Sequence, residues 1–261
     1  MLYSTLVYAT DISQTQHSDR PPNLRILEQD FIESKWLFAD NWFDIVHMQC
    51  LKESIPNWVT VFKQAERVLK PGGFLEVIEH TSQIYPKGGT VENLYPELYD
   101  LGGMLRNVGI RIGRSMSVVE EERLIPALQE AGFQIMRNAI IPCSLTPPAQ
   151  QGRAYDAAVF AQAAFLIDLK GKLIFSLSRH WPDHMCQPSY LLRLFVEALA
   201  WRPEWVVHYA QEIIKELRVV GQGDVTDLHI FVQHIISQKV YTQNKSRSIR
   251  SPKAMACELK A

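Results

Sequence analysis

The chain has 261 residues, 47% of them apolar and 21% charged, a balance that builds a folded core and excludes a disordered or fibrous protein. A net charge of −1 gives no sequence-wide field for nucleic acid or an anionic membrane. Cys50, Cys143, Cys186 and Cys257 are widely spaced and form no CxxC pair, which suits reduced thiols rather than a disulfide framework. The longest apolar region, residues 154–177, is broken by Asp156, Asp168, Lys170 and Lys172 and does not read as a membrane span. The N-terminus has no basic start, and Asp11 cuts its apolar run short, so no signal peptide is read and a cytoplasmic location is expected.

In chain order, residues 5–12 (TLVYATDI) read as a short strand ending at an acid, and residues 24–28 (LRILE) as a second, ending just before Asp30. Phe43 to Met48 is an almost continuous apolar run, the pattern of a strand covered on both faces. Asn57 is the N-cap of a helix whose Trp58, Val61, Phe62, Ala65, Val68 and Leu69 recur at helical spacing. Lys70-Pro71-Gly72-Gly73 stops it, and Phe74 to Ile78 forms the next strand, ending at Glu79-His80. Strand, helix, turn and strand in this order make a βαβ unit.

Residues 92–108 read as helical. A further helix is expected from near Ser117, with Glu120, Glu121 and Glu122 in its first turn, to Ala131-Gly132. Phe133 to Pro142 then reads as strand, residues 150–220 as mostly helical, and Leu228 to Val240 as the last strand. The division is a partial core at 1–149, a helical insertion or lid at 150–225, a returning core strand at 226–242 and a basic, disordered tail at 243–261. The tail sequence KSRSIRSPK also admits a nuclear location.

Four segments, YATDIS with PPNLRILEQDF, then FDIVHMQCLKESIPNW, then AERVLKPGGFLEVIEH, together resemble the class I S-adenosylmethionine-dependent methyltransferases. The resemblance is to the fungal branch that includes velvet-complex regulators and secondary-metabolite tailoring enzymes. It is strong over residues 5–80, looser over 117–142, and returns at LHIFVQHIISQK; residues 145–225 match nothing nameable. It implies an α/β, Rossmann-like, mostly parallel sheet, with ligands beyond the carboxyl ends of its strands.

S-adenosylmethionine is the implied cofactor. Asp11 would accept two hydrogen bonds from a ribose diol, Asp30 would read the adenine amino group, and Phe31 would pack on the adenine face. His47, Met48 and Gln49 would face the methionine portion and the transferable methyl, with His47 the candidate base. Glu79 and His80 are candidate substrate contacts. Read from the residues alone, Asp11 equally caps a turn with Ser13, Asp30 equally ends a strand, and Glu79 and His80 equally sit in a solvated loop.

Two departures stand out. No GxGxG turn occurs anywhere, and the chain starts about where the family's first helix should end, so an upstream segment is expected and activity of this chain is in doubt. The family's first strand lies mid-sheet, so its absence predicts two facing strand edges without partners. Where the family often has His-x-Arg, this chain has His47-Met48-Gln49, which loses a fixed charge.

The function implied is methyl transfer to a small molecule in secondary metabolism. Trp181, Tyr190, Trp201 and Trp205 in the helical insertion point to an apolar or aromatic substrate, or else pack the helices together. No metal site is expected: His180, His184 and Cys186 lie close in sequence, but Pro182 disfavours the helical turn that would align the histidines. The alternatives are a regulatory scaffold acting through a protein partner and a cofactor-free lyase or isomerase on the same fold. Homo-oligomer formation through exposed edges is consistent with any of them.

Overall fold

Strand pairing divides the molecule. In the computed structural model, which describes residues 5–11, 20–32, 35–86, 95–148, 150–162, 199–219 and 227–240, β1 (Val7–Asp11) and β2 (Leu24–Glu28) form a parallel pair of their own. The larger sheet runs β3 (Phe43–Gln49), β4 (Leu69–His80), β7 (Leu228–Lys239), with β5 (Tyr85–Pro86) and β6 (Phe133–Ser144) both paired to β7. The β3–β4 pair is parallel, as a βαβ unit requires, whereas β7 runs antiparallel to β4, β5 and β6. Among the described residues no strand bridges β1 and β3. Aromatic side chains meet across the two edges there: the Tyr8 ring meets Phe38 at 5.6 Å and Phe43 at 5.9 Å, and Phe38 meets Phe43 at 4.7 Å, all edge-on.

Helix α1 (Trp58–Val68) forms because its apolar residues share one face and Asn57 caps it, its Oδ1 accepting from the Thr60 N–H at 3.2 Å. The buried stripe Trp58, Val61, Phe62, Ala65 and Val68 packs on one face of the sheet with Met48, Leu75, Val77 and Ile235. The helix ends at Val68 and the chain enters β4 at once. The register then jumps from Phe43–Leu69 to Ile45–Phe74, so residues 70–73 bulge outward. Gly72 has φ +80°, and a Cβ on Gly73 would lie 2.9 Å from the Lys70 carbonyl and 3.0 Å from that of Asp44, which explains both glycines.

Helix α2 (Pro96–Ile112), a helical stretch at 153–162 and helix α3 (Leu124–Glu130) lie where helices were expected, with one correction. The helix placed from Ser117 starts only at Leu124, because Glu122 takes φ +52° and breaks the helical path. The three glutamates are therefore not a first helical turn. Glu120 instead reaches back to the backbone at 82–83, and Glu121 pairs with Arg123.

Helix α4 (Pro203–Val219) packs on α2, and a second core of Leu98, Leu101, Val108, Val206, Ala210 and Ile213 closes between them. Glu216 of α4 caps α2, its carboxylate accepting the Leu98 N–H at 2.8 Å and the Glu97 N–H at 3.3 Å. The sheet face opposite α1 is less covered: Ile45 is 63% and Phe74 38% exposed. Trp181, Tyr190, the His180, His184 and Cys186 group and the basic tail lie outside the described residues.

Candidate functional site at the carboxyl ends of the strands

In β1 and β2 the parallel register sets Asp11 opposite Glu28, so both strands finish at the same end. Asp11 is exposed there, and its carbonyl accepts the Gln29 N–H at 2.8 Å. Asp30 follows two residues after Glu28; its Oδ1 accepts the Ile32 N–H at 2.8 Å, an Asx turn that fixes the carboxylate. The two acids named from the sequence are thus brought to one edge of the strand pair. Phe31 turns toward the core and packs with Trp36, whose Nε1–H donates to the Phe31 carbonyl at 2.9 Å.

The alternation of β3 splits the next group of candidates. His47 and Gln49 point to the face opposite α1, while Met48 is 4% exposed and packs in the α1 core, where its side chain offers no surface to a ligand. His47 Nδ1 lies 2.8 Å from Glu76 Oε2, and Nε2 lies 3.3 Å from Gln49 Oε1. Glu76 also meets His234 Nε2 at 2.8 Å through its other oxygen. The hydrogen bonds from His47 and then His234 hold the Glu76 carboxyl below its ordinary range. Glu76 and His234 were not singled out in the sequence, since the three residues belong to three strands and only the sheet register aligns them.

Beyond β3 the chain turns sharply. Cys50 has φ +53° and its N–H still donates to the Ile78 carbonyl at 3.0 Å. Glu79 lies under this turn, fully buried, its Oε1 accepting the Leu51 N–H at 2.6 Å and its Oε2 without a hydrogen-bond partner. The expected substrate contact is therefore a buried strut. Burial pushes its carboxyl up to about 7, against the opposing effects of the Leu51 N–H and the Lys52 charge.

Lys52 is 2% exposed, its Nζ donating to the His80 carbonyl at 2.8 Å and to Ser82 Oγ at 2.9 Å. Ser82 Oγ in turn donates to the Met116 carbonyl, and Glu120 Oε1 accepts the N–H groups of Ser82 at 2.6 Å and Gln83 at 3.0 Å. His80 is half-buried, with Nδ1 2.8 Å from the Thr81 carbonyl. The carboxyl edge of β3 and β4 thus rests on a buried polar network of Lys52, Glu79, Ser82 and Glu120. Of these the sequence singled out only Glu79 as a site residue.

Burial raises the Glu79 carboxyl from its ordinary 4.5 to about 7, so the native state holds an extra proton between those values. Its contribution is complete below about pH 4.5 and is lost as pH rises through about 7. Glu79→Gln removes that slope. The wild type should lose on the order of 1–3 kcal/mol against E79Q between pH 5 and pH 8. Urea midpoints of both proteins at the two pH values check this; parallel profiles would show that Glu79 is ionised throughout.

Residues 2–77 match the family model of the methyltransferase domain. The methyltransferase pytC of Aspergillus terreus is 25% identical over 241 residues, covering 90% of this chain and 64% of that protein. The secondary metabolism regulator LAE1 of Cochliobolus heterostrophus is 31% identical over 138 residues, covering 52% of this chain and 43% of its own. The cyclopropane synthase MmaA2 of Mycobacterium tuberculosis aligns with a TM-score of 0.45 at 16% identity, over 91% of this chain and 71% of that one.

Residues 2–77 are thus similar to a methyltransferase domain. The fungal relatives it matches include a methyltransferase and secondary metabolism regulators, and the chain spans 64% of the length of the pytC relatives. Among the described residues no helix is long and apolar enough to cross a membrane, and no three His, Cys, Asp or Glu side chains are placed to hold a metal ion.

S-adenosylmethionine, the group that the match to a methyltransferase domain implies, fits the site in part. The exposed carboxylate of Asp11 and the pinned carboxylate of Asp30 suit a nucleoside. For the amino-acid portion the described residues supply no counterpart: Met48 is in the core, and the Gln49 amide is engaged with His47.

Proposed function

We propose that this chain is the nucleoside-binding part of an S-adenosylmethionine-dependent methyltransferase acting on a small molecule of fungal secondary metabolism. The observation that carries the reading is the placement of Asp11 and Asp30 at the shared carboxyl end of the parallel β1–β2 pair. Asp11 accepts hydrogen bonds from the ribose hydroxyls and Asp30 from the adenine amino group, both stronger than neutral pairs because the acceptor is charged. The cofactor supplies an activated methyl group when bound. The chain's own candidate for proton transfer is His47, whose Nδ1 lies 2.8 Å from Glu76 Oε2 and whose Nε2 lies 3.3 Å from Gln49 Oε1. The substrate is apolar or aromatic, and the protein works in the cytoplasm or nucleus.

Calorimetric titration with S-adenosylhomocysteine and with adenosine tests this reading. Asp11→Ala should weaken both ligands about 10-fold or more, the loss expected for a charged hydrogen-bond partner of two hydroxyls. Equal affinity in wild type and D11A would overturn the assignment of Asp11.

A second reading, a regulator without turnover, is favoured by one observation: the 31% identity to a protein named as a secondary metabolism regulator. It predicts a protein partner retained by D11A and no methylated product.

A further inference from the structure

The contact between α2 and α4 leaves a cavity of about 240 Å³ lined by Glu97, Trp201, Trp205, His208, Tyr209 and Glu212. Three of these six residues are aromatic and two are acids. The Tyr209 ring is fixed by its hydroxyl, which donates to the Glu97 carbonyl at 2.8 Å, and Trp201 stands edge-on to it at 5.7 Å and 89°. Trp205 is 55% exposed, so one wall of the cavity is accessible.

Aromatic faces carry negative charge density and attract cations, most strongly for indole. The surroundings are negative as well. Burial first, then the charges of Glu97, Asp100 and Glu216, drives the Tyr209 hydroxyl far above its ordinary range. Glu212 is held by Lys215 and approached by His208 at 3.9 Å, whereas Glu97 has no ion-pair partner among the described residues. One cation already uses a ring here: the Arg202 guanidinium lies 5.5 Å from the centroid of Trp205.

We propose that the cavity between α2 and α4 binds a small organic cation, a tertiary or quaternary ammonium, against Trp201, Trp205 and Tyr209, with Glu97 as the counter-charge. A neutral guest would gain the apolar walls but not the acids, so the positive charge decides occupancy. The volume suits a small whole molecule or a headgroup rather than a long chain. Arg202 competes for the Trp205 face, so its removal strengthens binding. This site is independent of Asp11 and Asp30, and it is assigned without reference to methyl transfer.

Choline and its neutral isostere 3,3-dimethylbutan-1-ol are titrated calorimetrically into the 261-residue chain with no nucleoside present. Choline should bind saturably, with the isostere at least about 5-fold weaker. Trp205→Ala and Glu97→Gln should each weaken choline about 3- to 10-fold, and Arg202→Ala should tighten it about 2-fold or more. Melting curves confirm that each variant is folded; should W205A unfold, E97Q and R202A carry the test. Equal binding of the isostere, or choline affinity unmoved by E97Q and R202A, overturns the proposal. A trimethyllysine peptide binding more tightly than choline overturns the small-molecule assignment in favour of a modified protein. Failure here leaves the nucleoside reading standing, because the two titrations share no residue and no ligand.

Discussion

Replacing Lys52 by methionine should destabilise the chain by about 3–5 kcal/mol, the range for removing one partner from a buried charged network. The side chain is 2% exposed, and its Nζ donates to the His80 carbonyl and Ser82 Oγ. K52M removes both of these bonds, and a buried acceptor left without its donor costs about 1–3 kcal/mol. It also removes the positive charge that opposes the burial of Glu79. The penalty therefore depends on pH: at pH 5 a protonated Glu79 tolerates the loss, whereas at pH 8 its ionised form has no compensating charge. A melting-temperature drop of about 6–15 °C at pH 8, smaller at pH 5, is the expected reading. The double variant K52M/E79Q should recover about 1 kcal/mol or more of the K52M loss at pH 8, since it removes the stranded carboxylate too. Additive losses would mean that the two side chains do not interact.

This network marks where sequence reading stops. Strands β1 to β4 and helix α1 were legible because each signal is local: an apolar run, an N-cap, a helical stripe, a glycine turn. Asp11 and Asp30 were legible for the same reason, as acids at strand ends. Lys52 and Ser82 lie 30 positions apart and Ser82 and Glu120 lie 38 apart, so their pairing exists only once β3, β4 and the 115–121 turn are packed. An acid at the end of a strand looks the same in sequence whether it faces solvent or, like Glu79, a buried turn. The misplaced start of α3 has the same origin. Three consecutive glutamates suit a helix N-terminus by charge, but the tertiary bonds of Glu120 to residues 82–83 and the left-handed Glu122 override that preference. Alternation along β3, by contrast, was available in principle. His47 and Met48 are adjacent, and in any strand they must face opposite ways, so both could not meet one ligand through their side chains.

The second large effect falls on Arg67, because the β1–β2 pair has no backbone hydrogen bonds to β3 among the described residues. What ties the two sheets together is the segment 35–42, and Arg67 on α1 organises it. Its NH1 donates to the Phe38 carbonyl at 2.8 Å and Asp40 Oδ1 at 2.7 Å, and its NH2 to the Trp36 carbonyl at 3.0 Å. The Arg67 guanidinium holds the Asp40 carboxyl below its usual range. These bonds set Trp36 into the α1 core and Phe38 against Tyr8 and Phe43, the ring contacts that bridge the sheets. Arg67→Ala should cost about 2–4 kcal/mol, through charged hydrogen bonds to two main-chain carbonyls. The loss should also be uneven. Amide exchange should rise first in β1 and β2 while β4 and β7 stay protected, because local opening follows the weakest set of contacts. Asp11 and Asp30 both ride on that pair, so nucleoside affinity should fall with its protection even though Arg67 lies on α1 and outside the proposed ligand contacts. Uniform acceleration of exchange across all strands would instead mean that the two sheets unfold as one unit, with the aromatic contacts alone enough to couple them.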